Sequence, residues 1–123
     1  METNVNRKIL IIDDNKSMAK VLSRLFEMKN LDSTVSNDGI TGLQLIKNQK
    51  FGTILLDLAM PGFSGWDVIK SLEKDDGIKK ERIFVFTASA LKHSEKEQLN
   101  ELGIKACINK PADLEMLLKI LEV

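Results

Sequence analysis

One cysteine, two prolines and no net charge are what the sequence has least of, and each scarcity excludes something. A lone thiol, Cys107, makes no internal disulfide, so a reducing compartment, the cytoplasm, is expected. The 18 basic residues are balanced by 18 acidic ones. A protein that works directly on nucleic acid wants a basic surplus against the phosphates, so that activity is not expected. Few prolines beside 43% apolar residues exclude a disordered, solvating chain. No apolar run approaches the ~18 residues that span a bilayer. The first six residues lack the basic-then-apolar plan of a signal peptide. No repeat, low-complexity tract or linker interrupts the 123 residues. One domain over residues 1–123 is therefore expected, with residues 1–6 as a loose tail.

What is present is alternation. Lys8–Ile12 is a short continuous apolar run, the pattern of a strand buried on both faces. Met18, Val21, Leu22, Leu25 and Phe26 then recur at helical spacing. A short second strand is expected at residues 33–36, and Asn37-Asp38-Gly39 supplies cap and turn chemistry for a helix carrying Ile40, Leu43 and Ile46. Thr53–Leu56 reads as a third strand, followed by a loop punctuated by Pro61, Gly62 and Gly65. A third helix is expected over residues 66–74, a fourth strand over 82–86 and a sparsely apolar fourth helix over 92–102. A fifth strand follows at 106–108, and Pro111 is expected to open a last helix with Leu114, Leu117, Leu118 and Leu121 inward. Five strand–helix pairs call for an open α/β fold: a doubly wound, five-stranded parallel sheet with helices on both faces. A closed eight-unit barrel needs about twice this length.

Such sheets carry their sites outside the carboxyl ends of the strands. Those ends hold Asp13 and Asp14, then Asp57, Thr87 and Lys110. Three carboxylates on one edge repel one another unless a cation relieves them. A hard divalent ion, Mg²⁺ or Mn²⁺ in its place, suits an oxygen-only set and keeps waters for a phosphate to displace. With its charge partly cancelled, Asp57 could attack phosphorus to give an aspartyl phosphate. Lys110 could then neutralise one phosphoryl oxygen while the Thr87 hydroxyl hydrogen-bonds another.

Ile11-Ile12-Asp13-Asp14, Leu56-Asp57-Leu58-Ala59-Met60-Pro61-Gly62 with Gly65 downstream, Thr87-Ala88 and Lys110-Pro111 occur in that order, each at a strand end. With these motifs the chain, from about Lys8 onward, resembles the receiver domain of two-component response regulators in its single-domain, chemotaxis-regulator-like (CheY-like) form. The resemblance implies a flavodoxin-like strand order, 2-1-3-4-5, and Asp57 as the phosphoacceptor. It implies a metal held directly by Asp14 and Asp57 and by the backbone carbonyl of Ala59, with Asp13 assisting through water. Thr87 becomes the switch hydroxyl, Lys110 the phosphate-contacting lysine, and the Lys110–Pro111 bond cis. The implied donor is a phosphohistidine on a sensor histidine kinase or phosphotransfer protein. The expected acceptor is a monomer that catalyses its own modification without being a turnover enzyme and delivers its output in trans to a protein partner, with no membrane contact.

One position departs from the pattern. Receivers usually carry an aromatic or histidine ring three residues before the lysine, and here that place is Cys107. The aromatic half of the usual output coupling is thus missing, while the transfer chemistry is untouched. Cys107 reads mainly as a small apolar residue, with a thiol lowered by Lys105 and Lys110 as the minor reading. Asp13 alone reads equally as an N-cap of the first helix. Other functions fit less well: an aspartyl-phosphate phosphatase wants an acid where Ala59 stands, and a dinucleotide site wants a glycine-rich loop where Asp13-Asp14-Asn15 stands. A phosphorelay intermediate, a phosphate sink and a non-phosphorylated docking module remain as alternative uses of the same domain.

Overall fold

The computed structural model describes residues 7–122; the expected tail over residues 1–6 lies outside them. Five strands and five helices alternate: β1 (Lys8–Ile12), α1 (Lys16–Met28), β2 (Asp32–Ser36), α2 (Gly39–Asn48), β3 (Thr53–Leu56), α3 (Gly65–Lys74), β4 (Ile83–Thr87), α4 (His93–Leu102), β5 (Ala106–Asn109) and α5 (Leu114–Leu121). A single 3-10 turn, Ile78–Lys80, precedes β4. All neighbouring strands pair in parallel, in the order β2-β1-β3-β4-β5. Sheet class, order and helix count agree with the expectation from the sequence.

The uniform apolar runs of the inner strands follow from burial on both faces. Because successive side chains point oppositely, each run feeds two cores. Leu10, Ile12, Ile54, Leu56, Ile83 and Val85 face α2, α3 and α4, meeting Ile46, Val68, Ile69, Leu72 and Leu99. Ile9, Ile11, Leu55, Phe84 and Phe86 face α1 and α5, meeting Ala19, Leu22, Phe26, Leu117 and Leu121. Fully burying each of the Leu, Ile, Val and Phe side chains among them stabilises by roughly 1.5–3 kcal/mol. β2 is an edge strand, and only Ser36 in it is buried. No helix among the described residues is long and apolar enough to cross a membrane.

Local caps correct several boundaries. Asn15, not Asp13, caps α1, its side chain accepting from the Met18 N–H at 3.0 Å. Asp38 caps α2 through the Thr41 N–H at 2.7 Å. Pro111 does not open the last helix. That helix starts at Leu114, because Asp113 caps it by accepting the Glu115 N–H at 3.0 Å. Thr87 belongs to β4, since it pairs with Asn109 across to β5. Of α4 only Leu99 is buried, as its thin apolar stripe implied.

Candidate functional site

β1, β3 and β4 run side by side in parallel, so the chain leaves each of them at the same edge. As the backbone leaves β1, the Asp13 N–H donates to the Ser36 carbonyl at 3.0 Å; leaving β3, the Asp57 N–H donates to the Ile12 carbonyl at 3.0 Å. These bonds hold the ends of β2, β1 and β3 in step. Asp13, Asp14 and Asp57 each present a carboxylate oxygen, and the three lie within 4.8 Å of one another. Their surroundings differ: Asp13 and Asp57 are buried, at 2% and 6% exposure, while Asp14 is exposed.

The relieving cation comes from just beyond β5. Lys110 Nζ donates to Asp13 Oδ2 at 2.6 Å and to Asp57 Oδ2 at 3.4 Å. The second oxygen of Asp13 accepts the Asn15 N–H at 2.9 Å. Burial still holds the Asp13 carboxyl above its ordinary value, because desolvation outweighs Lys110 and Asn15, and the charge of Asp57 pushes the same way. Asp57 Oδ1 accepts the Ala59 N–H at 3.3 Å, drawing the following loop back over the strand end. Thr87 is 1% exposed, and its Oγ1 accepts the Ser89 N–H at 3.2 Å. The Lys110 N–H donates to the Thr87 carbonyl at 2.9 Å, which fixes the lysine relative to β4. The Lys110–Pro111 peptide bond is cis.

Two glycines shape the loop after Asp57. Gly62 has φ +79°, a backbone that L side chains rarely adopt. At Gly65 an added Cβ would fall 2.7 Å from Leu58 Cα and closer still to the Asp57 carbonyl oxygen. Only glycine lets the first turn of α3 rest directly on the backbone that carries Asp57.

Four of the expected residues, Asp13, Asp14, Asp57 and Lys110, are thus brought into one cluster. Thr87 and Ala59 stand beside it at the same edge. The donor set is oxygen-only and acidic, with one ammonium, and fits a hard divalent cation and a phosphoryl group better than a soft metal. Two further residues were not anticipated. Asn37 Nδ2 donates to the Asp13 carbonyl at 2.9 Å, bracing the Asp13–Asp14 backbone from the end of β2. It directly follows a strand, so the strand-end rule that singled out the carboxylates also reaches it. The ring of Phe86 lies beneath Lys110 Nζ, 5.4 Å from ammonium to centroid, and nothing local in the sequence marks that.

Cys107 is half-buried, and burial pushes its thiol above the usual value. The opposing charge is that of Lys96, so the expected lowering by Lys105 and Lys110 gives way to the small-apolar reading. His93 is exposed at the start of α4 and stands 3.6 Å from Glu97. Trp66 is half-buried against the core beneath α3.

Comparison with known proteins agrees with this geometry. A family model described as the response regulator receiver domain matches residues 9–122. The chain is 31% identical over 109 residues to chemotaxis protein CheY-3 of Vibrio cholerae, covering 88% of this chain and 83% of that protein. Its structure is similar to the receiver domain of the Francisella response regulator 1452, with TM-score 0.83, 26% identity, and 94% and 93% of the two chains covered. It is also similar to a Burkholderia pseudomallei response regulator whose structure holds a phosphorylated aspartic acid and a calcium ion. That match has TM-score 0.80 and 30% identity, and covers 93% of this chain but 65% of the other. Fold, strand-end chemistry and relatives converge, and the chain belongs to the response regulator receiver domain family.

Proposed function

We propose that this receiver takes a phosphoryl group onto Asp57 from a phosphohistidine of a sensor kinase or phosphotransfer protein. The observation that carries the proposal is the single ammonium of Lys110 bridging Asp13 and Asp57 inside a cluster of three carboxylates. A carboxylate oxygen of Asp57 attacks phosphorus, an O–P bond forms, and the P–N bond of the donor breaks with its electrons leaving on the imidazole. Lys110 stands where it offsets charge on the arriving phosphoryl oxygens, and the Thr87 hydroxyl is the donor for one of them. Asp14, Asp57 and the Ala59 carbonyl would hold Mg²⁺, with Asp13 reaching it through water, and the bound ion would supply the remaining positive charge. The Asn15 N–H occupies one oxygen of Asp13, which suits it to the indirect role. The added charge of about −1.5 to −2 then biases the Thr87 loop and the weakly anchored α4, switching a surface read by a downstream protein.

The proposal is tested with Mg²⁺ and acetyl phosphate, which replaces the histidine donor and leaves as acetate. A base-labile mass gain of one phosphoryl group is expected for the wild type and none for Asp57→Asn. A gain that survives that substitution, or its absence in the wild type, overturns the assignment.

A further inference from the structure

The wall beneath Lys110 is closed off from solvent. Phe86 pairs with Ile108 between β4 and β5, and both side chains enter the core under α1 and α5. Lys110 lies two residues past Ile108, just beyond β5, and its N–H bond to the Thr87 carbonyl continues the pairing, so its stem turns toward the same face. The result is an ammonium 5.4 Å from the Phe86 ring centroid, on a side chain only 12% exposed, above a ring residue 3% exposed. That distance lies within the ~6 Å over which a ring face attracts a cation, and attraction is strongest when water is excluded.

The ring offers Lys110 something the carboxylates do not. At rest the shortest contact of the ammonium is Asp13 Oδ2 at 2.6 Å, with Asp57 farther at 3.4 Å. A lysine stem has four flexible carbons, and a carboxylate drawn to another cation releases it. A ring face carries no formal charge, makes no metal bond and cannot be drawn away. We propose that Phe86 is a positioning residue: its ring face holds the Lys110 ammonium beside Asp57 when Asp13 is engaged elsewhere. The proposal rests on the reading of Asp57 as the phosphoacceptor. As a mere core filler, Phe86 would be indifferent to the electronics of its ring.

That difference is the test. A series of 4-fluoro-, trifluoro- and pentafluorophenylalanine at position 86 keeps the ring shape nearly constant while draining its face of negative potential. Two quantities are read: the Lys110 side-chain NMR resonance without phosphodonor, and the initial rate of phosphoryl gain from acetyl phosphate at saturating Mg²⁺. A graded shift of the Lys110 resonance and a rate lowered about fivefold at the pentafluoro ring are expected, with F86L behaving like the pentafluoro form. A resonance flat across the series overturns the proposal, as does a flat rate beside a moving resonance. If the wild type gains no phosphoryl group, it is the phosphoacceptor reading that fails; the resonance then decides the ring contact by itself, a graded shift upholding it and a flat one overturning it.

Discussion

Asp13 and Asp14 are neighbours in the chain yet meet opposite conditions. Asp14 faces solvent, whereas Asp13 is buried and clasped by Lys110 and the Asn15 N–H. Burial holds the Asp13 carboxyl above the ordinary aspartate value of 3.8, so the folded protein keeps that proton to higher pH than the unfolded chain does. Between 3.8 and the raised value the folded state binds more protons, and stability falls as pH rises through that window. Above it, the ionised carboxylate is a standing cost. In metal-free buffer, Asp13→Asn is therefore expected to be more stable than the wild type at neutral pH. The excess should vanish on acidification below the unfolded value, where both side chains are neutral. Urea midpoints across pH in the presence of a chelator check this, and a less stable variant at neutral pH contradicts it. The cost falls on a carboxylate of the candidate site.

Among the elements, α4 stands apart. α1 and α3 bury three and four residues, while α4 buries Leu99 alone. Its ends are defined by local chemistry, the Lys92 N–H donating to Glu95 Oε1 at 2.8 Å and Gly103 turning out of the helix at φ +107°. An element anchored by one side chain opens at low free-energy cost. Hydrogen exchange is expected to be faster for α4 amides than for those of α3. Leu99→Ala is expected to cost about 2–5 kcal/mol of local stability, raising α4 exchange further while the strand ends keep their protection. Equal protection of α3 and α4 in the wild type would remove the basis for α4 as the element that phosphorylation biases. The weak anchoring was legible in the sequence, because a helix with few apolar positions has little to bury. The start of α5 was not: a proline suits the first turn of a helix in general, and only the placement of Asp113 shows that the helix begins beyond it.

For the whole molecule, 18 charges of each sign cancel, yet three carboxylates share one small region of the sheet edge. A neutral total attracts cations weakly from bulk, so a stabilising effect of Mg²⁺ must come from that local cluster. Mg²⁺ bound only by the folded state raises unfolding free energy by about 2.7 kcal/mol at a concentration one hundred times its dissociation constant. Thermal unfolding should show the midpoint rising with Mg²⁺ for the wild type and much less for Asp14→Asn or Asp57→Asn, at constant ionic strength. An equal rise in all three would place the ion elsewhere. By itself the sequence determined the elements, the parallel class of the sheet and the side chains at its carboxyl edge, because burial on two faces writes continuous apolar runs whose ends can be read locally. The tertiary structure alone decided that Lys110, 97 positions from Asp13, grips that carboxylate more closely than Asp57. It also decided that Asp13 rather than Asp14 is enclosed, and that Phe86 lies under the ammonium. The physical reason is that such contacts are set by how strands register and helices cover them, and no local pattern encodes a distance between residues so far apart in the chain.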